Sequence, residues 1–356
     1  MSSAPKPSSS SATAPRESLA SLTREETEAL VASLGEPPYR ARQLYSWVHA
    51  RGADSYEAMT DLPKALRETL RAILPARSTA VEAEHRSADG TVKLVVRLRD
   101  GERVECVLIP EDDRRTACLS TQVGCGVGCV FCASGALGVK RNLTIGEIVE
   151  QALWLAAKAG ARLTNVVVMG MGEPLHNVGA LVGALRLLQD PQGMDLGSRR
   201  ITVSTSGPTK GFEELLRSGL RVGLAVSLHA ADDALRRKLV PRGGTGAVAE
   251  LREMARRWFE ETGRDVTFEY VLLAGVNDSD RDAESLARLV GRHVNVNLIP
   301  MNPVSFAPEL RAPDDARVAR FTATLERRGV VVHVRRQRGD DVAAACGQLR
   351  LGDARD

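Results

Sequence analysis

The chain has 356 residues, 43% of them hydrophobic and 26% charged, and a net charge of +3. These values are ordinary for a soluble globular protein with one large core and a smaller module, and so mild a charge does not by itself argue for nucleic acid. No run of about 18 apolar residues is present to span a membrane. Residues 1–16, mostly Ser, Ala and Pro, lack the apolar centre of a secretory signal and read as a disordered tail. The expected location is therefore the cytoplasm, where thiols stay reduced. Residues 17–76 read as a helical accessory module. Thr23 with Glu26 three residues on forms a capping box, and apolar residues recur at Leu30, Val31 and Leu34. Pro37-Pro38 breaks the run, and further stretches carry Ala41, Leu44, Trp47 and Val48, then Leu66, Leu70 and Leu74.

Residues 77–112 switch to period two, with Asp89-Gly90 and Asp100-Gly101 as turn signals, which predicts a β-hairpin or short meander. On its last strand Glu105 shares a face with Val107 and Ile109. At the level of the residues alone, that carboxylate is an edge-strand charge ahead of a placed acid. From 113 to 349 strand and helix alternate. The expected strands are Ala117 to Val123, Asn165 to Met169, Arg200 to Ser204, Arg221 to Leu228, Val266 to Leu273, Val294 to Ile299 and Val330 to Arg335. Helices open at the Thr144–Glu147 capping box and run over Val248 to Glu261 and Asp280 to Val290. Repeated β-α units with near-continuous apolar strands predict an α/β fold, a partial (β/α)6 barrel whose chemistry collects at the carboxyl ends of the strands. Residues 350–356 read as a tail.

The strand at Ala117 to Val123 runs into Gly124-Cys125-Gly-Val-Gly-Cys129-Val-Phe131-Cys132. The spacing is C-x3-C-x2-C. A structural zinc site would need four ligands, usually in tight pairs, and only Cys129 and Cys132 form one. A disulfide framework does not suit a chain of this size with six cysteines and no secretory signal. Three thiolates leave one iron of a [4Fe–4S] cluster open, and an open position is where a metal site does chemistry. The spacing with Phe131 is the signature of radical S-adenosylmethionine (SAM) enzymes, in which SAM chelates the open iron. Other strand ends carry Gly170-Met171-Gly172-Glu173, Ser204-Thr205-Ser206-Gly207, Ser227-Leu228-His229 and Pro300-Met301-Asn302. Each alone reads as a turn or cap; together, opposite a cluster loop, they read as a SAM cradle. Cys106 reads as a buried small hydrophobe, and Cys346, beside Gly347 and following Asp340-Asp341, as a thiol in a shaped loop. The basic clusters Lys140-Arg141, Arg199-Arg200, Arg236-Arg237-Lys238, Arg256-Arg257 and Arg335-Arg336 with Arg338 are solvated surface unless several converge on one face.

Over residues 20 to 350 these motifs together resemble the RlmN/Cfr family of radical SAM RNA methyltransferases. The most specific segments run from Gln122 to Cys132, Met169 to Pro174, Val203 to Gly207, Val226 to Ala230, Val296 to Pro300 and Ala344 to Leu349. The resemblance implies methylation of adenine C2 in 23S rRNA at the peptidyl transferase centre and of adenosine 37 in tRNA. Adenine C8 methylation of 23S rRNA is the alternative, because the two activities share these motifs. It implies one [4Fe–4S] cluster on Cys125, Cys129 and Cys132, two SAM per turnover, and SAM contacts at Gly172, Glu173, Ser204, Ser227, Leu228, His229 and Asn302. It further implies Cys346 as a methyl-cysteine intermediate, Glu105 as the proton acceptor, and Cys118 as the resolving thiol of a transient disulfide with Cys346. The implied partners are 23S rRNA, tRNA, an electron donor such as flavodoxin or ferredoxin and a thiol reductant, with a monomer as the default. A radical SAM enzyme of a small molecule or peptide would give Cys118 and Cys346 no role, and a zinc-binding nucleic-acid module would need no iron.

Overall fold

Thr23 and Glu26 cap each other reciprocally, Thr23 Oγ1 accepting from the Glu26 N–H at 3.2 Å and Glu26 from the Thr23 N–H at 2.9 Å. In the computed structural model, which describes residues 17–243, 247–335 and 338–350, this box opens the helix Arg24–Ser33. The helices Pro38–Tyr45 and Lys64–Ile73 follow, the former running on as one wide turn over Ser46–Ala50. Their apolar stripes bury Val31, Leu44, Val48, Leu66 and Leu70, each such side chain contributing roughly 1.5–3 kcal/mol. The tails expected at residues 1–16 and 350–356 lie outside the described residues, Arg350 excepted.

The module is pinned to the rest of the chain through Glu150, which is fully buried on the helix Ile145–Ala159. Its carboxylate accepts from the Ser18 hydroxyl at 2.5 Å, from the N–H and hydroxyl of Ser78 at 2.9 and 3.1 Å, and from the N–H and hydroxyl of Thr79 at 2.8 and 2.6 Å. Thr144 caps this helix with Glu147 as its sequence predicts.

Ten strands of the described residues form one sheet. In chain order the first four are β1 (Ala80–Arg86), β2 (Val92–Arg97), β3 (Arg103–Glu111) and β4 (Arg114–Cys118), an antiparallel meander. After a small pair, β5 (Gln122–Cys125) and β6 (Gly138–Asn142), come β7 (Asn165–Val168), β8 (Ile201–Thr205), β9 (Gly223–Ser227), β10 (Val266–Leu272), β11 (Val294–Pro300) and β12 (Val332–Val334). From β4 through β7 to β12 every neighbouring pair is parallel. The strands read as continuous apolar runs because helices cover them: Val166, Val168, Ile201, Val203, Leu224, Val226, Phe268 and Val296 are all buried.

Two expectations change. Glu105 is no edge charge: β3 is paired on both sides, to β2 and β4, and the sheet runs unbroken from the meander into the parallel array. The strand expected over Ala117 to Val123 breaks after Cys118. Leu119 still donates to Val167 at 2.9 Å, but Thr121 turns to the Met171 carbonyl at 2.8 Å and the chain peels off into β5. Within β5, Gly124, at φ +77°, permits the close pairing with β6, since an added Cβ would stand 1.9 Å from the Gly138 carbonyl oxygen.

Candidate active site

The cysteine loop leaves the end of β5 and is held from three directions. Val130 N–H donates to the Leu239 carbonyl at 3.1 Å, Arg242 N–H to the Val127 carbonyl at 3.1 Å, and Ala133 N–H to the Gly347 carbonyl at 2.7 Å. Cys125, Cys129 and Cys132 line one cavity of about 160 Å³. Burial raises all three thiols, Cys125 to about 12, and a cationic group in that cavity would favour their thiolates. Among the described residues no three His, Cys, Asp or Glu side chains are placed to hold a single metal ion. A cluster asks for something else, three sulfurs around a space, each bound to a different iron. The donor set fits that group.

Gly172, Glu173, Ser204, Ser227, His229 and Asn302 line the same cavity, at the carboxyl ends of β7, β8, β9 and β11. Glu173 is buried and already ordered, accepting from Thr205 Oγ1 at 2.7 Å, Ser206 N–H at 2.7 Å and Leu175 N–H at 3.0 Å. Gly172 sits at φ +104°, where a Cβ would meet Gln122 at 2.7 Å. His229 takes φ +59°, and its Nδ1 accepts from the Val271 N–H at 3.0 Å, which leaves the proton on Nε2. Burial, with Arg236 nearby, lowers its pKa to about 3, so the ring is a neutral donor packed edge-on against Phe131. Leu228 differs from the others: its side chain lies in the main core, and only its backbone, donating to the Glu269 carbonyl at 3.0 Å, belongs to this end of the sheet.

A second cavity of about 840 Å³ adjoins the first. Cys346, Cys132, Asn302 and Arg335 line both, and Cys118 lines the larger. Cys118 is a free thiol at the end of β4, raised to about 12 by burial and by Cys346 beside it. Cys346 is half-buried in a loop fixed by Asn302, whose amide donates to the Cys346 carbonyl at 2.8 Å. Glu105 lines neither cavity. It lies on the face that Cys118 shares, since Cys118 is directly opposite Val107 and a face repeats every two residues. Its carboxylate is 3.1 Å from Lys93 Nζ. Burial raises its pKa, with Lys93 and Arg350 acting against that rise. Cys106 is fully buried in the core, on the opposite face.

Two of the basic clusters are spent on local pairs. Lys140 meets Glu102, Arg141 meets Asp100 and Glu147, Arg256 meets Glu253 and Glu260, and Arg257 meets Glu213. Arg236 is buried and donates to the Ser206 and Ser227 carbonyls at 2.8 and 3.2 Å, bracing two strand ends of the site. Arg335 and Arg338 line the larger cavity with Arg114, while Arg336 lies outside the described residues. Two site residues were not singled out by sequence reasoning. Lys93 lies in β2 among apolar neighbours and drew no notice there. Glu269, buried beside Ser227 and accepting from Asn297 at 2.8 Å, did leave a signal, a charge inside the apolar run of β10.

Residues 119–287 match the profile of the radical SAM superfamily, and residues 18–75 match that of the ribosomal RNA large subunit methyltransferase N-terminal domain. A probable dual-specificity RNA methyltransferase RlmN of Symbiobacterium thermophilum is 46% identical over 94% of this chain and 91% of its own length. The dual-specificity RNA methyltransferase RlmN of Solidesulfovibrio magneticus is 47% identical over 93% and 96%. The crystal structure of a radical SAM methyltransferase from Sphaerobacter thermophilus superposes with a TM-score of 0.90 at 48% identity, covering 94% of this chain and 99% of that one. No helix among the described residues is long and apolar enough to cross a membrane. With a radical SAM fold, a three-thiol cluster loop and relatives of this likeness along nearly its whole length, the chain belongs to the RlmN family of radical SAM RNA methyltransferases.

Proposed function

We propose that this enzyme methylates adenine C2 in 23S rRNA and of adenosine 37 in tRNA, through a methyl group carried on Cys346. The observation that carries the reading is the placement of Cys118 and Cys346 on one cavity, adjoining the cavity of the cluster loop. Adenine C2 is electron-poor and does not attack a sulfonium, so the methyl has to arrive by another route than direct displacement. Cys346, as a thiolate, takes a methyl from a first SAM. Cys125, Cys129 and Cys132 would hold the cluster, which with a second SAM would supply an electron and a 5′-deoxyadenosyl radical able to take hydrogen from that methyl. Gly172, Glu173, Ser204, Ser227, the Leu228 backbone, His229 and Asn302 orient the SAM. The methylene left on Cys346 would then form a C–C bond to adenine C2, the adduct would return one electron, and Glu105 would receive the C2 proton. Cys118, as a thiolate, then attacks the Cys346 sulfur, the S–S bond forming as the S–C bond to the product breaks, and the released carbon takes a proton to become the methyl group. An external thiol reduces the pair, and flavodoxin or ferredoxin feeds the cluster. The helical module and the Arg114, Arg335 and Arg338 side of the larger cavity face the RNA. A monomer in the cytoplasm meets every requirement of this cycle.

The test is product analysis. Reconstituted protein, SAM and a reductant are incubated with a 23S rRNA fragment and with tRNA, and the digested RNA is read by mass spectrometry. The reading expects 2-methyladenosine in both, with two SAM consumed per product. 8-Methyladenosine would move the activity to C8, and unmodified adenosine throughout would refute both.

A further inference from the structure

Lys93 has no part in the cycle above, yet the sheet delivers it to the centre of it. β2 and β3 run antiparallel with Val95 opposite Glu105 and Lys93 opposite Val107. Opposed residues point to one face, so Lys93 is the diagonal neighbour of Glu105 on the face that also carries Cys118. The gap is closed by the long lysine stem, with Nζ 3.1 Å from Glu105 Oε1 and side chains only 9% and 3% exposed. The same ammonium donates to the Ala343 carbonyl at 3.4 Å, three residues before Cys346. The approach is fixed by a second grip on that loop: the Asp89 carboxylate, in the turn before β2, accepts from the Gly339 N–H at 3.0 Å.

We propose that Lys93 is a positioning residue of the reaction, keeping Glu105 ionised and tying it to the loop that carries Cys346. The proposal rests on the reading of Glu105 as the acceptor of the C2 proton. A carboxyl this dry is driven toward its protonated form, and a protonated acid accepts nothing. The charges facing Glu105 are Lys93 from β2 and Arg350 from the C-terminal segment, and the Lys93 charge is the larger influence of the two. A merely structural pair would be expected to saturate its carboxylate, because buried ion pairs add little stability over apolar packing. Glu105 Oε2 instead has no hydrogen-bond partner among the described residues.

The pH profile of RNA methylation by the reconstituted holoenzyme tests this. Lys93→Met keeps the stem and removes the charge. Its rate is expected to fall about tenfold or more near about pH 6.5 and to return to within about threefold of the parent near about pH 9, while Lys93→Arg follows the parent throughout. Uptake of a methyl by Cys346, read from the mass of the intact protein, verifies that the variant is folded and loaded; a variant that fails it is replaced by Lys93→Gln in the same profile. A Lys93→Met rate lowered by one factor at every pH would overturn the proposal. Glu105→Gln turning over at the parent's rate would overturn the reading of Glu105 beneath it.

Discussion

Two buried glutamates divide the work of this chain. Glu150, where the helical module meets the parallel array, is surrounded by donors: the backbone and hydroxyls of Ser78 and Thr79 and the hydroxyl of Ser18. Glu105, where the meander meets the same array, has one lysine on one oxygen and, among the described residues, no hydrogen-bond partner on the other. With five donors crowded on its two oxygens, the Glu150 carboxylate is suited to holding elements together. A carboxylate that is dry, raised by burial and partly unpartnered is poised to change its protonation state. The contrast separates architecture from chemistry without reference to which residue is nearer the cysteines.

Exchanging each carboxylate for its amide should break the contrast if it is wrong. Glu105→Gln is expected to lower the methylation rate by about 10²–10⁴-fold, the usual range for a lost general base, with the protein still folded. Glu150→Gln should do the reverse, costing about 3 kcal/mol in denaturant unfolding by leaving buried donors poorly matched, with the rate of the folded fraction preserved. Equal effects of both on rate would dissolve the distinction.

The helical side offers a sharper test through pH. His49 is fully buried against Tyr45, neither ring nitrogen has a hydrogen-bond partner among the described residues, and burial, followed by the Arg77 charge, lowers its pKa to about 3. A depressed folded pKa gives stability that is complete above the unfolded value of about 6.5 and is lost as pH falls from there toward about 3. His49→Phe should therefore remove a slope of about 1.4 kcal/mol per pH unit below about pH 6, read from denaturant midpoints of parent and variant. An unchanged slope would show that His49 is hydrated. The smallest effect is expected at the outer cap, where Thr23→Ala should cost about 1 kcal/mol and leave the methylation rate alone.

Local signals carried much of this into view before the fold was known. The capping boxes at Thr23 and Thr144, the apolar strands and the cysteine loop all depend on residues near one another in sequence. What stayed hidden depends on register and on partners far along the chain. Strand alternation puts Glu105 with Val107, but only the pairing of β2 with β3 brings Lys93 to it. Arg236 stood in an Arg-Arg-Lys run and read as surface, because the two strand-end carbonyls that it satisfies come from other units. Glu150 sits in a helix, where a charge ordinarily faces water, and its donors lie more than seventy residues upstream. β5 parted from β4 where the Thr121 N–H turns to the Met171 carbonyl, a partner fifty residues on that no period reveals.

The two-residue turn Asp112-Asp113 joins β3 to β4 with Glu111 opposite Arg114 and Val107 opposite Cys118. Cys106 and Cys118 are both buried sulfurs, and what separates them is parity. One added residue in that turn would slide the pairing by one, send Cys118 to the side that Cys106 occupies, and turn it away from Cys346. The length of a surface turn thus selects the sulfur that Cys346 meets, as firmly as the sulfur's own position in the chain does.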